Sequence, residues 1–155
     1  YMVFDEAGAV TKPLQPAFLC NGLTGPLTTS TGWGTITTWN TPTFDQNSDF
    51  ASGTTFTAPV TGKYFFQVQF QASGHAQDAD LEYDMITSNG AFTMYADVAV
   101  RNSDGVGTQY SNTAKSVICD MDASDTVYLS QICNPANSTI ASGAGATFFS
   151  GMLMA

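Results

Sequence analysis

The sequence predicts an all-β fold, a two-sheet antiparallel sandwich in one domain, and three observations carry that prediction. The chain has 155 residues, a length that suits a single domain with a real core. Its apolar share is 43% and includes 11 phenylalanines, far more than a disordered chain carries. Apolar residues recur with period two in short runs broken by Gly, Asn, Asp, Ser and Thr, and no amphipathic helix period is found.

The strands are expected in this order. "PAFLCN" from Pro16, "TITTWN" from Thr35 and "GTTFTAP" from Gly53 come first. "GKYFFQVQFQ" from Gly62, "DLEYDMIT" from Asp80 and "AFTMYADVAVR" from Ala91 follow. "SNTAKSVICD" from Ser111, "DTVYLSQIC" from Asp125 and "GATFFSGMLM" from Gly145 complete the set, a number suited to a sandwich. Residues 1–15 hold two small apolar patches and a proline-bearing link. They are read as an arm from an upstream shaft, with the domain over 16–155. A chain that opens on Tyr1 reads as an excised domain or a processed product.

Two kinds of strand separate. In 80–87, Leu81, Tyr83 and Met85 oppose Asp80, Glu82 and Asp84; in 91–101, Phe92, Met94, Ala96, Val98 and Val100 oppose Thr93, Tyr95, Asp97 and Arg101; in 125–131, Val127 and Leu129 oppose Tyr128 and Ser130. These are half-buried strands with one face in water. The second kind is apolar on both faces. Phe65 stands opposite Tyr64 and Phe66, Phe148 and Met152 stand opposite Phe149 and Leu153, and Val117 and Ile118 are back to back. One sandwich core covers one face, so the other needs a partner, and the simplest partner is another copy of the chain.

Charge narrows the partners further. Charged residues make up 11% of the chain, against a usual share of about 25%. The net charge of −9 repels phosphate backbones and anionic lipids, so neither nucleic acid nor membrane insertion is expected. No run approaches the ~20 apolar residues of a membrane span. A surface of Thr, Ser, Asn, Gln and Gly suits extracellular, virion or adhesive proteins.

Four motifs, in order over about 16–154, resemble the globular heads of complement component one q. "PAF" at 16–18 is similar to the opening strand, and "FTAPVTGKYFF" from Phe56 to the central signature Phe–Thr–x–Pro–x–x–Gly–x–Tyr–x–Phe. "SDTVYLSQ" from Ser124 resembles the Gly–Asp–x–Val–x–Leu strand, with serine in the glycine's place. "FFSGMLM" from Phe148 resembles the closing Phe–Ser–Gly–Phe–Leu–Leu strand, with Met152 in place of an aromatic. The resemblance implies a jelly roll of about ten strands, as in tumour-necrosis-factor-like proteins, assembled as a homotrimer. It puts 62–71, 111–120 and 145–154 on the sheet facing the trimer axis, and 80–87, 91–101 and 125–132 on the outer sheet. The expected interface residues are Phe65, Gln67, Val117, Phe148 and Met152. "FDEAGAVTKPLQPAF" also resembles stretches that precede such domains in bacteriophage tail-fibre and virion proteins. The function expected is a non-enzymatic knob or capsid decoration at the virion surface, contacting other virion proteins and a host receptor or glycan. A secreted recognition module binding glycans or proteins, and a purely structural trimerisation cap, stand beside it.

The remaining chemistry is sparse. His75 is the only histidine, in the loop "SGHAQDAD", and no nucleophile-elbow pattern flanks a serine, so no catalytic residues are expected. Asp78, Asp80, Glu82 and Asp84 offer the hard oxygens calcium takes. Same-face neighbours on a strand lie about 6.6–6.8 Å apart, too wide to share one ion, so a solvated acidic face is expected. "DMDASD" from Asp120 lacks the glycine and the twelfth-place glutamate of a calcium loop and reads as a turn. Some members of the family bind calcium near the trimer apex, but no ligand set maps onto this chain, and no metal site or cofactor is assigned. Contact loops are expected around His75 and Asp78, around Asn102 and Asp104, and around Asn137, which opens an Asn–Ser–Thr glycosylation acceptor. Of Cys20, Cys119 and Cys133, at least one is unpaired, and a Cys119–Cys133 bridge is open on strand placement.

Overall fold

A computed structural model of the chain describes residues 3–4, 10–12, 14–50, 53–75, 79–98, 110–134 and 138–154. Every regular element among them is a strand: β1 Val3–Phe4, β2 Val10–Thr11, β3 Ala17–Asn21, β4 Leu27–Thr28, β5 Gly34–Thr35, β6 Phe44–Gln46 and β7 Thr55–Thr57. The longer ones follow as β8 Gly62–Ser73, β9 Ala79–Thr87, β10 Gly90–Val98, β11 Tyr110–Met121 and β12 Thr126–Asn134. Two short strands, β13 Thr139–Ile140 and β14 Phe148–Leu153, close the chain.

The strands form two antiparallel sheets and a separate β1–β2 pair. The larger sheet has seven strands ordered β4–β13–β8–β14–β3–β6, with β11 on the other flank of β8. The smaller has five, ordered β10–β9–β12–β5, with β7 also on β12. Period-two alternation decides which side chains meet between them. From β8 come Tyr64, Phe66, Val68 and Phe70, and from β9 Leu81, Tyr83 and Met85, all buried. Phe70 and Tyr83 stack across the gap with centroids 4.3 Å apart. Phe18 of β3 packs on Phe50, Phe56 and Phe149 at 4.8, 5.1 and 5.0 Å. These rings sit at the offset and edge-on distances that aromatic quadrupoles favour. At the open edge, Lys115 of β11 reaches across and donates its ammonium to the Thr93 carbonyl of β10.

Gly151 shows how tight the packing is. A Cβ there would lie 2.5 Å from Phe66 Cδ1 and 2.7 Å from Phe18 Cε1, so only glycine lets β14 approach the aromatic layer. Gly22, after β3, has φ +75°, and a Cβ there would fall 2.4 Å from the Ser142 carbonyl oxygen.

The strand expectations hold for the long runs. "TITTWN" is different: the ladder stops at Thr35, and the rest is held by Ile36 N donating to Leu129 O and by a bridge between Leu23 and Trp39. Ile36 and Trp39 anchor it in the core, and Thr38 O accepts from Thr24 N at 2.7 Å. β1, β2, β4, β6 and β13 were not foreseen. Each is two or three residues, too short for alternation to show. No disulfide joins Cys119 and Cys133; all three cysteines are buried, Cys119 on the larger sheet and Cys133 on the smaller, where its Sγ lies 3.2 Å from Ser138 Oγ. The segment before β3 is tied to the domain at its end: Gln15 Nε2 donates to Leu153 O at 2.5 Å, and Pro16 O accepts from Leu153 N.

Candidate functional site

The face of the larger sheet that points away from the core is built from odd positions of β8 and β3 and even positions of β11 and β14. Strand register lines these residues up in rows. Ile118, Phe65, Met152 and Ala17 are directly opposite one another across β11, β8, β14 and β3. Ser116, Gln67, Ser150 and Leu19 form the next row, continued by Phe44 on β6. Ala114, Gln69, Phe148 and Asn21 form the third. Ile118 is 58% exposed and Met152 47%, while Phe65 and Phe148 are half-buried. At the outward positions of these four strands, the only charges are Lys63 and Asp120, which pair with each other at 3.8 Å.

Four of the five expected interface residues, Phe65, Gln67, Phe148 and Met152, share this outward face. Val117 does not. It is partly buried against the core, and its neighbour Ile118 takes the outward place. The sequence showed the pair back to back. What decides between them is register, because Ile118 pairs with Phe65, whose side is fixed by buried Tyr64 and Phe66. Ile118, Leu19 and Phe44 are the members of the face that sequence reasoning missed.

The C1q domain family matches residues 27–154, which is most of the chain. The chain belongs to the C1q domain family. The globular domain of zebrafish complement 1qA protein is similar in fold, with a TM-score of 0.61 at 18% identity over 90% of this chain and 98% of that one. Murine APRIL matches with a TM-score of 0.62 at 10% identity over 90% and 99%. The Eiger TNF of S. frugiperda matches with 0.63 at 13% over 91% and 93%. At these identities the likeness is one of fold. No curated protein sequence matches the chain.

The loops of this C1q domain offer little acid–base chemistry among the described residues. His75 is half-buried rather than free in a surface loop. Its Nδ1 lies 2.8 Å from Ser138 Oγ and its Nε2 3.1 Å from Ser111 Oγ, so it ties the end of β8 to the start of β11 and the approach to β13. Burial lowers its pKa, partly offset by a hydrogen bond with the Ala72 backbone. Asp78, Asn102, Asp104 and Asn137 lie outside the described residues.

Asp80, Glu82 and Asp84 point outward from β9, as expected, and burial followed by the Asp84 charge raises the Glu82 carboxyl. The "DMDASD" segment is a turn tied by its own side chains. Asp125 Oδ2 accepts from Asp122 N and Asn89 Nδ2, both at 2.9 Å, and Ser124 takes φ +79°. Among the described residues no three His, Cys, Asp or Glu side chains come together to hold a metal. Two of the thiols are poor nucleophiles: burial, then the Asp45 charge, pushes Cys20 up to about 12, and burial raises Cys119. No helix among the described residues is long and apolar enough to cross a membrane.

Proposed function

We propose that this C1q domain is a non-enzymatic recognition module that works as a homotrimer. Its larger sheet faces the three-fold axis, and the loops at the ends of the sandwich face the ligand. The row of Ile118, Phe65 and Met152 carries the reading: three large apolar side chains aligned on a face whose charges cancel. Burying such a row against sister chains removes apolar surface from water at about 25 cal/mol per Å². Three identical loop sets then convert weak single contacts into avidity.

The virion setting rests on the N-terminal resemblance to phage tail-fibre and virion proteins. There the trimer would be a tail-fibre knob or capsid decoration, touching other virion proteins and a host receptor or glycan. An extracellular, secreted C1q-type module binding glycans or proteins fits the domain equally well. Light scattering on the purified chain tests the assembly, with three times 16.4 kDa expected. A mass of one chain at high concentration would refute it. Retention on host cells or a glycan array separates a recognition module from a purely structural cap, which retains nothing on its own.

A further inference from the structure

The middle row of the outward face is polar across β11, β8 and β14, where Ser116, Gln67 and Ser150 stand opposite one another. Gln67 lies midway along β8, with β11 on one flank and β14 on the other. The three glutamines on this side of β8 differ in one respect. Gln69 Nε2 donates to Ala146 O at 3.3 Å, and Gln71 Nε2 donates to Asn112 Oδ1 at 3.1 Å. The Gln67 amide is exposed and has no partner among the described residues. Ser150 Oγ reaches only the Gln67 main-chain oxygen, at 3.5 Å. The short hydroxyls on either side leave room above the amide; the neighbouring row on one side is apolar, with Ile118, Phe65 and Met152, and that on the other sets Phe148 beside Gln69.

The chemistry of the face selects its occupant. The chain carries −9, yet the outward strand positions carry one positive and one negative charge, already paired. A second copy, repelled by the rest of the acidic surface, meets no net charge here. A basic partner would find nothing to pair with.

We propose that Gln67 sets the register of the homotrimer: three copies of its amide meet at the axis and close a ring, each Nε2 donating to the next Oε1. This rests on the homotrimer reading above. A primary amide both donates and accepts, so a head-to-tail ring of three satisfies itself under three-fold rotation. A shift of two residues one way brings the amide among Phe65, Ile118 and Met152, where it is buried without a partner, and a shift the other way sets it in the row of Gln69, whose Nε2 already donates to Ala146 O. A single polar residue in an apolar seam fixes register and oligomer number in coiled coils by the same penalty.

Gln67→Glu and Gln67→Leu in the full chain test this, read by native mass spectrometry and light scattering at about pH 8 and about pH 4, either side of the glutamate pKa. The wild type is expected to hold three chains at both. Gln67→Glu is expected to need about tenfold or more protein to assemble at the higher pH, where three carboxylates meet, and to recover at the lower. Gln67→Leu is expected to assemble at least as tightly but as a mixture of masses. If Gln67→Glu assembles equally at both pH values, or Gln67→Leu gives trimer alone, the register proposal is overturned and the homotrimer stands. A wild type with the mass of one chain overturns both.

Discussion

On β9 of the smaller sheet, the positions facing away from the core carry Asp80, Glu82, Asp84 and Ile86; on β8 of the larger sheet, they run from Lys63 through Phe65, Gln67, Gln69 and Gln71 to Ser73. Both strands follow the same alternation, and both bury their other face completely: Leu81, Tyr83 and Met85 on β9, Tyr64, Phe66 and Val68 on β8. The inward residues are therefore interchangeable in kind, and the outward ones hold the information about partners. Carboxylates 6–7 Å apart, roughly two strand residues, mark a strand side that faces solvent. An outward face without net charge, with large apolar groups in register, is what the proposed homotrimer would cover. The contrast between the sheets, more than the fold they share, is what singles out the proposed contact surface.

The largest effect expected separates two adjacent residues on β14. Phe149 is fully buried among Phe18, Phe50 and Phe66, whereas Phe148 points outward. Phe149→Ala should cost about 3–5 kcal/mol of chain stability in chemical denaturation, the usual range for a buried phenylalanine. Phe148→Ala should leave the fold within about 0.5 kcal/mol once assembly is factored out by dilution. Equal losses would mean that the outward face is part of the chain's own core. The next effect contrasts the sheets. Phe65→Glu brings three carboxylates together and should weaken assembly by several kcal/mol, about a hundredfold or more in concentration. Tyr128→Glu, on the outward side of β12 between buried Val127 and Leu129, should leave the mass unchanged. Sedimentation over a dilution series distinguishes them, and equal tolerance of both would remove the contrast. Smaller again is Gly151→Ala, whose methyl would press on Phe66 at 2.5 Å and should cost about 1–3 kcal/mol by thermal melting. Gly145→Ala, with nothing within 4 Å, should cost less than about 0.5 kcal/mol.

Much of this was legible in the sequence, because a period of two is self-evident over nine or more residues. β8, β9, β10, β11 and β12 are each at least that long, and all were expected. β4 and β13 show where pattern fails: two residues carry no period, and the strands exist because Thr139 and Ile140 complete pairing between β4 and β8. The outward face was legible as excess apolar residues, but not which of Val117 and Ile118 belonged to it. The answer comes from pairing with a neighbour, and a single strand does not contain it. His75 was read as a loop residue because its partners, Ser111 and Ser138, lie 36 and 63 positions away, and such contacts leave no local trace.

That histidine gives the smallest expected effect and a separate check on the loop end of the sandwich. Burial favours its neutral form, so its folded pKa lies below the ordinary 6.5. Above 6.5 the imidazole is neutral in both states and its contribution to stability is complete. As pH falls below 6.5 the unfolded chain takes up a proton first, and stability declines until the folded pKa is passed. Asp49 and Glu82, both raised above their ordinary values, act in the opposite sense: protonation there favours the fold. Both carboxyls are common to the wild type and a histidine variant, so the difference between the two proteins isolates the histidine. His75→Gln keeps a donor and an acceptor for Ser111 and Ser138 while removing the titration, so from about pH 7 to about pH 5.5 the melting temperature of the wild type should fall relative to that of the variant. Parallel curves for the two proteins would mean that His75 titrates as it does in the unfolded chain, and that its contacts to β11 and the approach to β13 do not hold the two ends together.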